Sequence, residues 1–231
     1  MQVKFSLWGL VDKALSTERE KREITSWHAS GLGSCPTGRY LERLGVEPDE
    51  EFDERTLRVF SAGKKFEDWI LDLALEGLKG SPDAQISLIR EVPAKLEDWG
   101  VSGRADAVVE VSGEKVVYEI KSKHSRAFHW MSKKGEGAMR QHEMQLWVYL
   151  KALNIPEGRI LYISKDDLCF LEYIVRLDDT VLGQEVALEV ELLNRAWALK
   201  VPPKPIADPK AWQNTYCRWH KKCVSQEKYL D

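Results

Sequence analysis

The sequence predicts a mixed α/β fold in which helices flank a central mixed β-sheet. Apolar residues recur at helical spacing over 55–78. Three strand-like segments follow at about 84–92, 100–111 and 115–122. A helix, two strands and another helix then complete the order up to residue 199. Helical and strand-like segments in this order favour a sheet with helices packed on its faces.

The N-terminal part is predicted to be helical. An amphipathic helix is expected over 7–22, where apolar residues recur on one face. A loop rich in glycine and serine covers 26–34, and a short helix then begins at Cys35-Pro36 and ends near Gly45. Proline suits the first turn of a helix and glycine suits its end, so both residues mark the limits of this helix.

The second half of the chain alternates between helical and strand-like segments. These are a helix over 136–153, strands at 159–164 and 168–176, and a helix at 178–199. Cys169 lies in an apolar stretch of the last strand, and we expect it to be a small core residue.

The proline-rich segment 201–205 marks a boundary near the end of the chain. Closely spaced prolines form a rigid linker, because they restrict the backbone. We therefore expect one domain over 1–200, with a helical part at 1–80, followed by a cysteine-containing tail over 201–231.

Composition limits the class of protein. The chain has 231 residues, of which 43% are hydrophobic, so it can bury a full core. A net charge of −3 argues against a protein that coats nucleic acid, since phosphate binding needs concentrated lysine and arginine. It is compatible with a nuclease that has a local basic groove. No segment approaches the roughly 18 apolar residues of a membrane span, and no cleavable signal is visible. A cytoplasmic protein without a membrane partner is expected.

The segment 106–121 is predicted to form a hairpin around a short loop at 112–114. If the first two loop residues form the turn, Asp106 lies opposite Glu119; if the last two do, it lies opposite Lys121. In both registers Asp106, Glu119 and Lys121 share one face of the sheet, because side chains alternate along a strand. A three-residue loop would place Asp106 on the other face.

Two carboxylates and a lysine on one face suit metal-assisted hydrolysis of a phosphodiester. Carboxylate oxygens bind Mg²⁺ or Mn²⁺, which polarise a phosphate and lower the pKa of a bound water. Lys121 would orient that water, stabilise developing charge, or act as a base if its pKa is low. The alternative is that Asp106 only begins a strand and that Glu119 and Lys121 form a surface ion pair.

Three segments together resemble a known family. They are Gly103-Arg104-Ala105-Asp106, Glu119-Ile120-Lys121 and Gln145-x-x-x-Tyr149. This order resembles the PD-(D/E)XK nuclease superfamily, in the branch with the RecB and AddB nuclease domains and the CRISPR adaptation (Cas4-type) exonucleases. The resemblance implies a restriction-endonuclease-like fold. Gln145 and Tyr149 lie one helical turn apart and share a face. Without the resemblance, they would be interpreted as parts of a partly buried helix.

The resemblance also implies roles for individual residues. Gly63-x-x-x-Glu67 matches the first family motif in its glutamate form. The implied metal ligands are Glu67, Asp106, Glu119 and the backbone carbonyl of Ile120. Lys121 is then implied to position the attacking water, and Gln145 and Tyr149 to contact DNA or the metal-bound water. The candidate phosphate contacts are Lys123, Arg126 and Arg140, each of which is equally typical of a solvated surface charge.

The cysteines follow the pattern of family members that carry an iron–sulfur cluster. Cys35 precedes a short helix, and Cys217-x-x-x-x-x-Cys223 matches the last two family positions. Asn214 stands where the remaining cysteine would be. Three interpretations stay open: a [4Fe–4S] cluster with a fourth ligand other than cysteine, Zn²⁺ bound with help from His220, or a tail without metal that packs through its aromatic residues. In every case the tail is expected near the Cys35 region.

The resemblance implies a DNA exonuclease that uses Mg²⁺ or Mn²⁺. Its expected substrate is single-stranded DNA or a strand end, in recombination and repair, in phage or in CRISPR-type DNA processing, with recombination or CRISPR adaptation proteins as partners. The missing cysteine motivates an alternative, a catalytically reduced accessory subunit that binds DNA ends. A third interpretation is an unrelated metal-free α/β scaffold, which Asp106 and Glu119 on opposite sheet faces would support.

Overall fold

A six-stranded mixed β-sheet forms the centre of the protein, as a computed structural model describes it over 7–17, 23–79, 86–135, 137–208, 210–226 and 228–230. The strands are β1 (Trp27–His28), β2 (Ile86–Leu96), β3 (Val101–Val111), β4 (Glu114–Lys123), β5 (Glu157–Ser164) and β6 (Phe170–Arg176). The α-helices are α1 (Leu7–Thr17), α2 (Pro36–Arg43), α3 (Glu54–Lys79), α4 (Ser125–Lys134), α5 (Arg140–Leu153), α6 (Thr180–Leu199), α7 (Trp212–Thr215) and α8 (His220–Val224). This architecture confirms the predicted fold class.

The strand pairing makes the sheet mixed. Its order is β1, β3, β4, β5, β6, and β2 pairs separately with β3. The pairs β2–β3, β3–β4 and β5–β6 are antiparallel, whereas β1–β3 and β4–β5 are parallel. Helices α4 and α5 form the crossover between the parallel strands β4 and β5, as parallel neighbours require.

The hairpin of β3 and β4 has a two-residue turn. Val111 pairs with Glu114, and both turn residues have a left-handed backbone, with φ of 53° at Ser112 and 89° at Gly113. This is the geometry of a type I′ turn, which matches the twist of the paired strands. The pairing continues to Ala107 and Tyr118, so the next residues in register are Asp106 and Glu119. The first of the two predicted registers is therefore confirmed.

Helix α5 packs on one face of the sheet and is almost enclosed. All but one of its residues from 142 to 150 are buried. Gly158 of β5 permits the close approach, because a Cβ there would lie 2.9 Å from Leu146 and 3.0 Å from Leu150. Helix α3 packs on the opposite face, where Leu71 meets Ile120 in a second apolar cluster. The sheet is thus covered on both faces.

The middle of the chain differs from the prediction in two places. The helix predicted over 136–153 is α5, which begins only at Arg140, and α4 is a separate helix that was not predicted; it ends before Gly135, which has a left-handed conformation (φ 62°). A left-handed glycine is a common end of a helix; residue 136 lies outside the described residues. Cys169 is exposed and lies just before β6. It is therefore not a core residue.

Other boundaries differ by a few residues. The helix predicted over 7–22 is described as α1 up to Thr17, and residues 18–22 lie outside the described part of the chain. The strand predicted at 84–92 extends to Leu96, because β2 pairs with β3 as far as Leu96, and its first two predicted residues are not described.

The C-terminal tail packs against the region of Cys35, as predicted. Trp219 is buried beside Tyr40 of α2, and its indole N–H donates to the Val46 carbonyl at 2.8 Å. The Asp49 carboxylate accepts the backbone N–H of Lys221 at 2.7 Å. These contacts fix the tail on the N-terminal part of the chain. Within the described ranges, every helix is too short or too polar to cross a lipid bilayer.

A partly buried carboxylate joins α6 to the loop before α2. The carboxylate of Glu189 accepts the Gly33 N–H at 2.9 Å and 3.0 Å. Burial raises the pKa of Glu189 to about 7, although the Gly33 N–H and the charge of Arg39 favour its ionised form. A carboxyl group with a raised pKa destabilises the folded state once the unfolded chain loses its proton.

We expect Glu189→Gln to stabilise the protein above neutral pH, because the amide still accepts a hydrogen bond without a buried charge. The gain should be absent below about pH 4.5, grow as pH rises towards 7, and reach on the order of 1–3 kcal/mol at pH 8. Urea denaturation at several pH values measures it. Glu185→Gln, on the exposed side of the same helix, should change stability by less than about 0.5 kcal/mol. A loss of stability at pH 8 in Glu189→Gln would contradict this interpretation.

Candidate active site and cysteine centre

Glu119 is the most deeply buried member of the predicted site, with 1% of its surface exposed. Its Oε1 accepts hydrogen bonds from Lys121 Nζ and, at 2.7 Å, from Gln145 Nε2. Its Oε2 is also buried and has no hydrogen-bond partner among the described residues. An unpaired buried carboxylate oxygen is costly, and a cation is the natural group to satisfy it.

Asp106 lies beside Glu119 on the same face of the sheet. Its Oδ2 accepts the Ile120 N–H at 2.7 Å. Burial and the charge of Glu119 raise the pKa of Asp106 to about 8, against the opposing influence of Lys121. Burial likewise raises the pKa of Glu119. The surroundings therefore do not compensate the negative charge of both carboxylates when they are ionised, and a bound cation would favour their ionised forms. The metal-free scaffold with these residues on opposite faces is not supported.

Lys121 supplies the positive charge of the site. Burial alone would lower its pKa, but the carboxylates of Glu119 and Asp106 outweigh burial and raise it. The side chain is therefore a cation at neutral pH in this arrangement. Of the three roles considered from the sequence, orienting a water and stabilising negative charge agree with a cation, whereas the role of base requires a low pKa.

Glu67 approaches the site from α3. This helix crosses β4 where Gly63 passes beside the Ser122 hydroxyl, and the carboxylate of Glu67 acts electrostatically on Asp106 and Glu119. It accepts a hydrogen bond from Lys64 Nζ at 2.6 Å. Among the residues that the structure describes, the carboxylates of Glu67, Asp106 and Glu119 do not form a group whose oxygens all lie within 4.8 Å of one another. Glu67 thus faces the site while Lys64 holds it.

Gln145 and Tyr149 stand behind Glu119 rather than on the surface. Tyr149 is only 2% exposed, and its hydroxyl accepts a hydrogen bond from Gln145 Nε2 at 2.9 Å. The ring lies against the backbone of Gly103, where a Cβ would be 2.6 Å from Cε1. This burial does not agree with direct contact between Tyr149 and DNA. It agrees with a role in positioning Gln145 and, through it, Glu119.

The sequence interpretation missed Glu91, which lies in β2 opposite Asp106 between the pairs Arg90–Ala107 and Val92–Ala105. Glu91 has a left-handed backbone with φ of 56°, which is unfavourable for a residue with a side chain. Its carboxylate forms ion pairs with Lys64 and Arg104. No sequence signal marks this conformation. The two ion-pair partners of Glu91 could have been recognised as site residues, because Lys64 lies inside the motif that ends at Glu67 and Arg104 lies inside the motif that ends at Asp106.

The three candidate phosphate contacts have different surroundings. Lys123 is half-buried, with Nζ against Met139 and 5.6 Å from the ring centre of Tyr162. Burial, with the nearby charge of Lys121, lowers the pKa of Lys123 to about 8. Arg126 is exposed in the first turn of α4. Arg140 binds the carboxylates of Glu143 and Glu185, so its charge is already largely neutralised.

Cys35, Cys217 and Cys223 form a second site, which we call the cysteine centre. Their sulfur atoms all lie within 4.8 Å of one another, and those of Cys217 and Cys223 are 3.7 Å apart. Hydrogen bonds from these two thiols lower the pKa of Cys35, and the backbone N–H groups of Gly38 and Ile206 add to this effect. The three thiols are close enough together to hold a metal ion.

Asn214 and His220 do not join the cysteine centre. The side-chain amide of Asn214 donates to the carbonyls of Ile206, at 2.8 Å, and Asp208, at 2.6 Å. His220 is exposed, and no ring nitrogen of it belongs to the group of mutually close ligand atoms found among the described residues. The geometry therefore does not support the predicted zinc set that includes His220.

Comparison with known proteins agrees with the fold and the motifs. No protein-family profile matches the chain. A CRISPR-associated exonuclease Cas4 of Saccharolobus solfataricus is 27% identical over 186 residues, which cover 79% of this chain and 83% of that protein. This similarity confirms the resemblance inferred from the motifs.

Two solved structures share the fold. The crystal structure of SSO0001 has a TM-score of 0.51 at 22% identity and covers 99% of this chain and 100% of its own. The alkaline exonuclease LHK-Exo from Laribacter hongkongensis has a TM-score of 0.53 at 12% identity, covering 77% of this chain and 93% of its own. At these identities the structural likeness supports the fold alone.

We expect Gly103→Ala to destabilise the protein by about 1–3 kcal/mol, because the added methyl group would displace Tyr149. Chemical denaturation measures the change. Gly77→Ala in α3 is the matched control, since a Cβ there meets no atom of the described residues within 4 Å and alanine favours a helix by up to about 1 kcal/mol. If Gly103→Ala is as stable as the unchanged protein, the close contact with Tyr149 is not present in solution.

Proposed function

We propose that the protein is a divalent-metal-dependent DNA exonuclease that hydrolyses phosphodiester bonds in single-stranded DNA or at strand ends. The observation that carries the proposal is the buried Glu119 carboxylate, beside Asp106 and cationic Lys121, whose Oε2 has no hydrogen-bond partner in the part of the chain that the structure describes. The 27% identity to a protein named as a Cas4 exonuclease supports the same activity. We assign residues 1–200 to the nuclease domain and 201–231 to the tail.

The proposed ligands of Mg²⁺ or Mn²⁺ are Glu67, Asp106, Glu119 and the carbonyl of Ile120. The set fits the ion, because hard divalent cations prefer oxygen ligands and Oε2 of Glu119 has no hydrogen-bond partner among the described residues. When bound, the cation supplies polarisation of the phosphate and a lower pKa for a coordinated water. Lys64 restrains Glu67 through a 2.6 Å hydrogen bond.

The chain's own residues have separate tasks in the proposed reaction. Lys121 orients the attacking water and stabilises the negative charge that develops on the phosphate. Gln145 fixes the Glu119 carboxylate through a 2.7 Å hydrogen bond. Tyr149 fixes Gln145 in turn at 2.9 Å. Tyr149 and Gln145 are therefore positioning residues, and we place Lys121 nearest to the reacting atoms.

The proposed DNA strand approaches over the charged end of β4 and the start of α4. Arg126 is exposed there and is the strongest candidate for a phosphate contact. Lys123 is nearer to the metal ligands but half-buried, and Arg140 is occupied by carboxylates. We place this activity in recombination, repair, phage or CRISPR-type DNA processing in the cytoplasm, with recombination or CRISPR adaptation proteins as partners.

One observation favours a second candidate, an accessory protein that binds DNA ends without cutting them. Asn214 replaces a thiolate of the family pattern and is engaged with backbone carbonyls, so one family feature is already lost. The buried and charged arrangement around Glu119 favours the enzyme, since an unpaired buried carboxylate oxygen is costly without a ligand.

Lys121→Ala is expected to lower the rate of DNA cleavage by at least about 100-fold, because the charge opposite the phosphate is lost. The assay uses end-labelled single-stranded and double-stranded DNA with Mn²⁺, and with EDTA as the metal-free arm. Circular dichroism checks that the variant is folded. Lys115→Ala, at the exposed end of the same strand, is the matched control and should keep full activity.

Each outcome of this assay has a clear meaning. Cleavage by Lys121→Ala at the normal rate would reject the role of Lys121, and cleavage in EDTA would reject the metal requirement. An unchanged protein that binds DNA ends but does not cut them would favour the accessory protein.

Mn²⁺ is expected to raise the melting temperature of the unchanged protein and to have a much smaller effect on Glu119→Gln. At about 100 times its dissociation constant, a ligand stabilises the folded state by about 2.7 kcal/mol. Glu114→Gln, exposed at the start of the same strand, should respond like the unchanged protein. Equal shifts in all three proteins would show that Mn²⁺ binds elsewhere.

A further inference from the structure

The cysteine centre joins two distant parts of the chain at one point. Cys35 lies immediately before α2, and Cys217 and Cys223 come from the tail. All three sulfur atoms lie within 4.8 Å of one another. Three converging thiols, two of them buried, are an unusual set to leave without a ligand, because thiolates are the preferred ligands of zinc and of iron–sulfur clusters.

The spacing of the sulfur atoms fits a single ion. A tetrahedral ion with metal–sulfur bonds of about 2.3 Å holds its sulfurs about 3.8 Å apart. Cys217 Sγ and Cys223 Sγ are 3.7 Å apart. A four-iron cluster has four metal atoms between its ligands and usually takes four thiolates, so its sulfur ligands lie farther apart than those around a single ion. The three residues present do not fit such a cluster in this arrangement.

Asn214 stands at the sequence position of the fourth cysteine and does not serve as a ligand. Both hydrogen-bond donors of its side-chain amide are used by backbone carbonyls, at 2.8 Å and 2.6 Å. Asn214 therefore stabilises the segment before α7 through these hydrogen bonds and does not supply a charged ligand. Asn214 and Cys217 both line a cavity of about 810 Å³ between the segment 49–60 and the tail. A ligand from solution can reach the centre from that cavity.

The immediate surroundings support bound thiolates. The backbone N–H groups of Gly38 and Ile206 point at Cys35 Sγ as hydrogen-bond donors. Donors of this kind orient metal ligands and stabilise their negative charge. Gly38 also leaves room for the sulfur of Cys217, because a Cβ there would lie 3.0 Å from it. Trp219 packs on the same cluster and helps to exclude water.

We propose that Cys35, Cys217 and Cys223 bind one Zn²⁺ through three thiolates, and that an exchangeable ligand from the cavity, water in its simplest form, occupies the fourth position. Sites that keep an open position of this kind bind further ligands, whereas sites with four protein ligands are structural only. This inference does not rest on the proposed nuclease activity.

The first test is the metal content of protein purified without oxygen. About one zinc per chain is expected, without matching iron or acid-labile sulfide. Cys217→Ser should lose the zinc. Cys169→Ser is the matched control and should keep it, because Cys169 is exposed and outside the centre. Glu119→Gln should also keep it, which separates this site from the proposed catalytic metal.

Two further measurements keep the proposal testable if Cys217→Ser does not fold. Alkylation of the native protein should label Cys169 alone, and after chelation it should label all four cysteines, counted by mass spectrometry. Co²⁺ substituted for zinc should show sulfur-to-cobalt absorption, and added imidazole or cyanide should shift its visible bands by taking the fourth position.

Stoichiometric iron with sulfide would overturn the single-ion site. Zinc that persists in Cys217→Ser would overturn the ligand set. Co²⁺ bands that do not respond to imidazole or cyanide would overturn the open position. None of these results depends on DNA cleavage, so a failure here leaves the proposed nuclease activity to its own tests.

Discussion

The structure depends most on how the Glu119 carboxylate is buried. An ionised carboxylate away from water is unfavourable unless its oxygens are paired. Lys121 and Gln145 satisfy Oε1, and Oε2 stays unpaired among the described residues. Gln145 can reach Glu119 only because α5 lies close against the sheet, and the small residue Gly103 makes room for the Tyr149 ring behind it. The close packing of α5 on the sheet thus positions the groups that bind the Glu119 carboxylate.

On the side of the site formed by α3 and β2, a network of ion pairs balances the charges of the carboxylates. Glu91 adopts a left-handed backbone next to Asp106. Its carboxylate shares Lys64 with Glu67. Unfavourable backbone conformations persist only where their surroundings hold them, and they concentrate at functional sites. A cation that binds between α3 and the hairpin would compete with Lys64 for Glu67, so ligand binding and the α3 contacts are coupled in the proposed nuclease.

The two candidate metal sites use different chemistry in one fold. The proposed catalytic site has oxygen ligands on the sheet and α3, whereas the cysteine centre has sulfur ligands that join α2 to the tail. Ligand type separates the ions, since hard cations select carboxylates and zinc accepts thiolates. The tail is also held by Trp219 and by Asp49, so its position does not rely on the metal alone.

The sequence by itself determined the fold class, because helical and strand periodicity are local. It placed Asp106 and Glu119 on one face for either two-residue turn, and the structure then decided the turn length. The meeting of Cys35 with Cys217 and Cys223 was implied by the family resemblance and not by a local pattern. Only the tertiary structure decided that Tyr149 is buried, that Glu91 is left-handed, and that a separate helix, α4, precedes α5. It also decided which oxygen of Glu119 has no hydrogen-bond partner among the described residues. The physical reason is that burial, charge balance and backbone strain arise from contacts between distant segments, which no local pattern encodes.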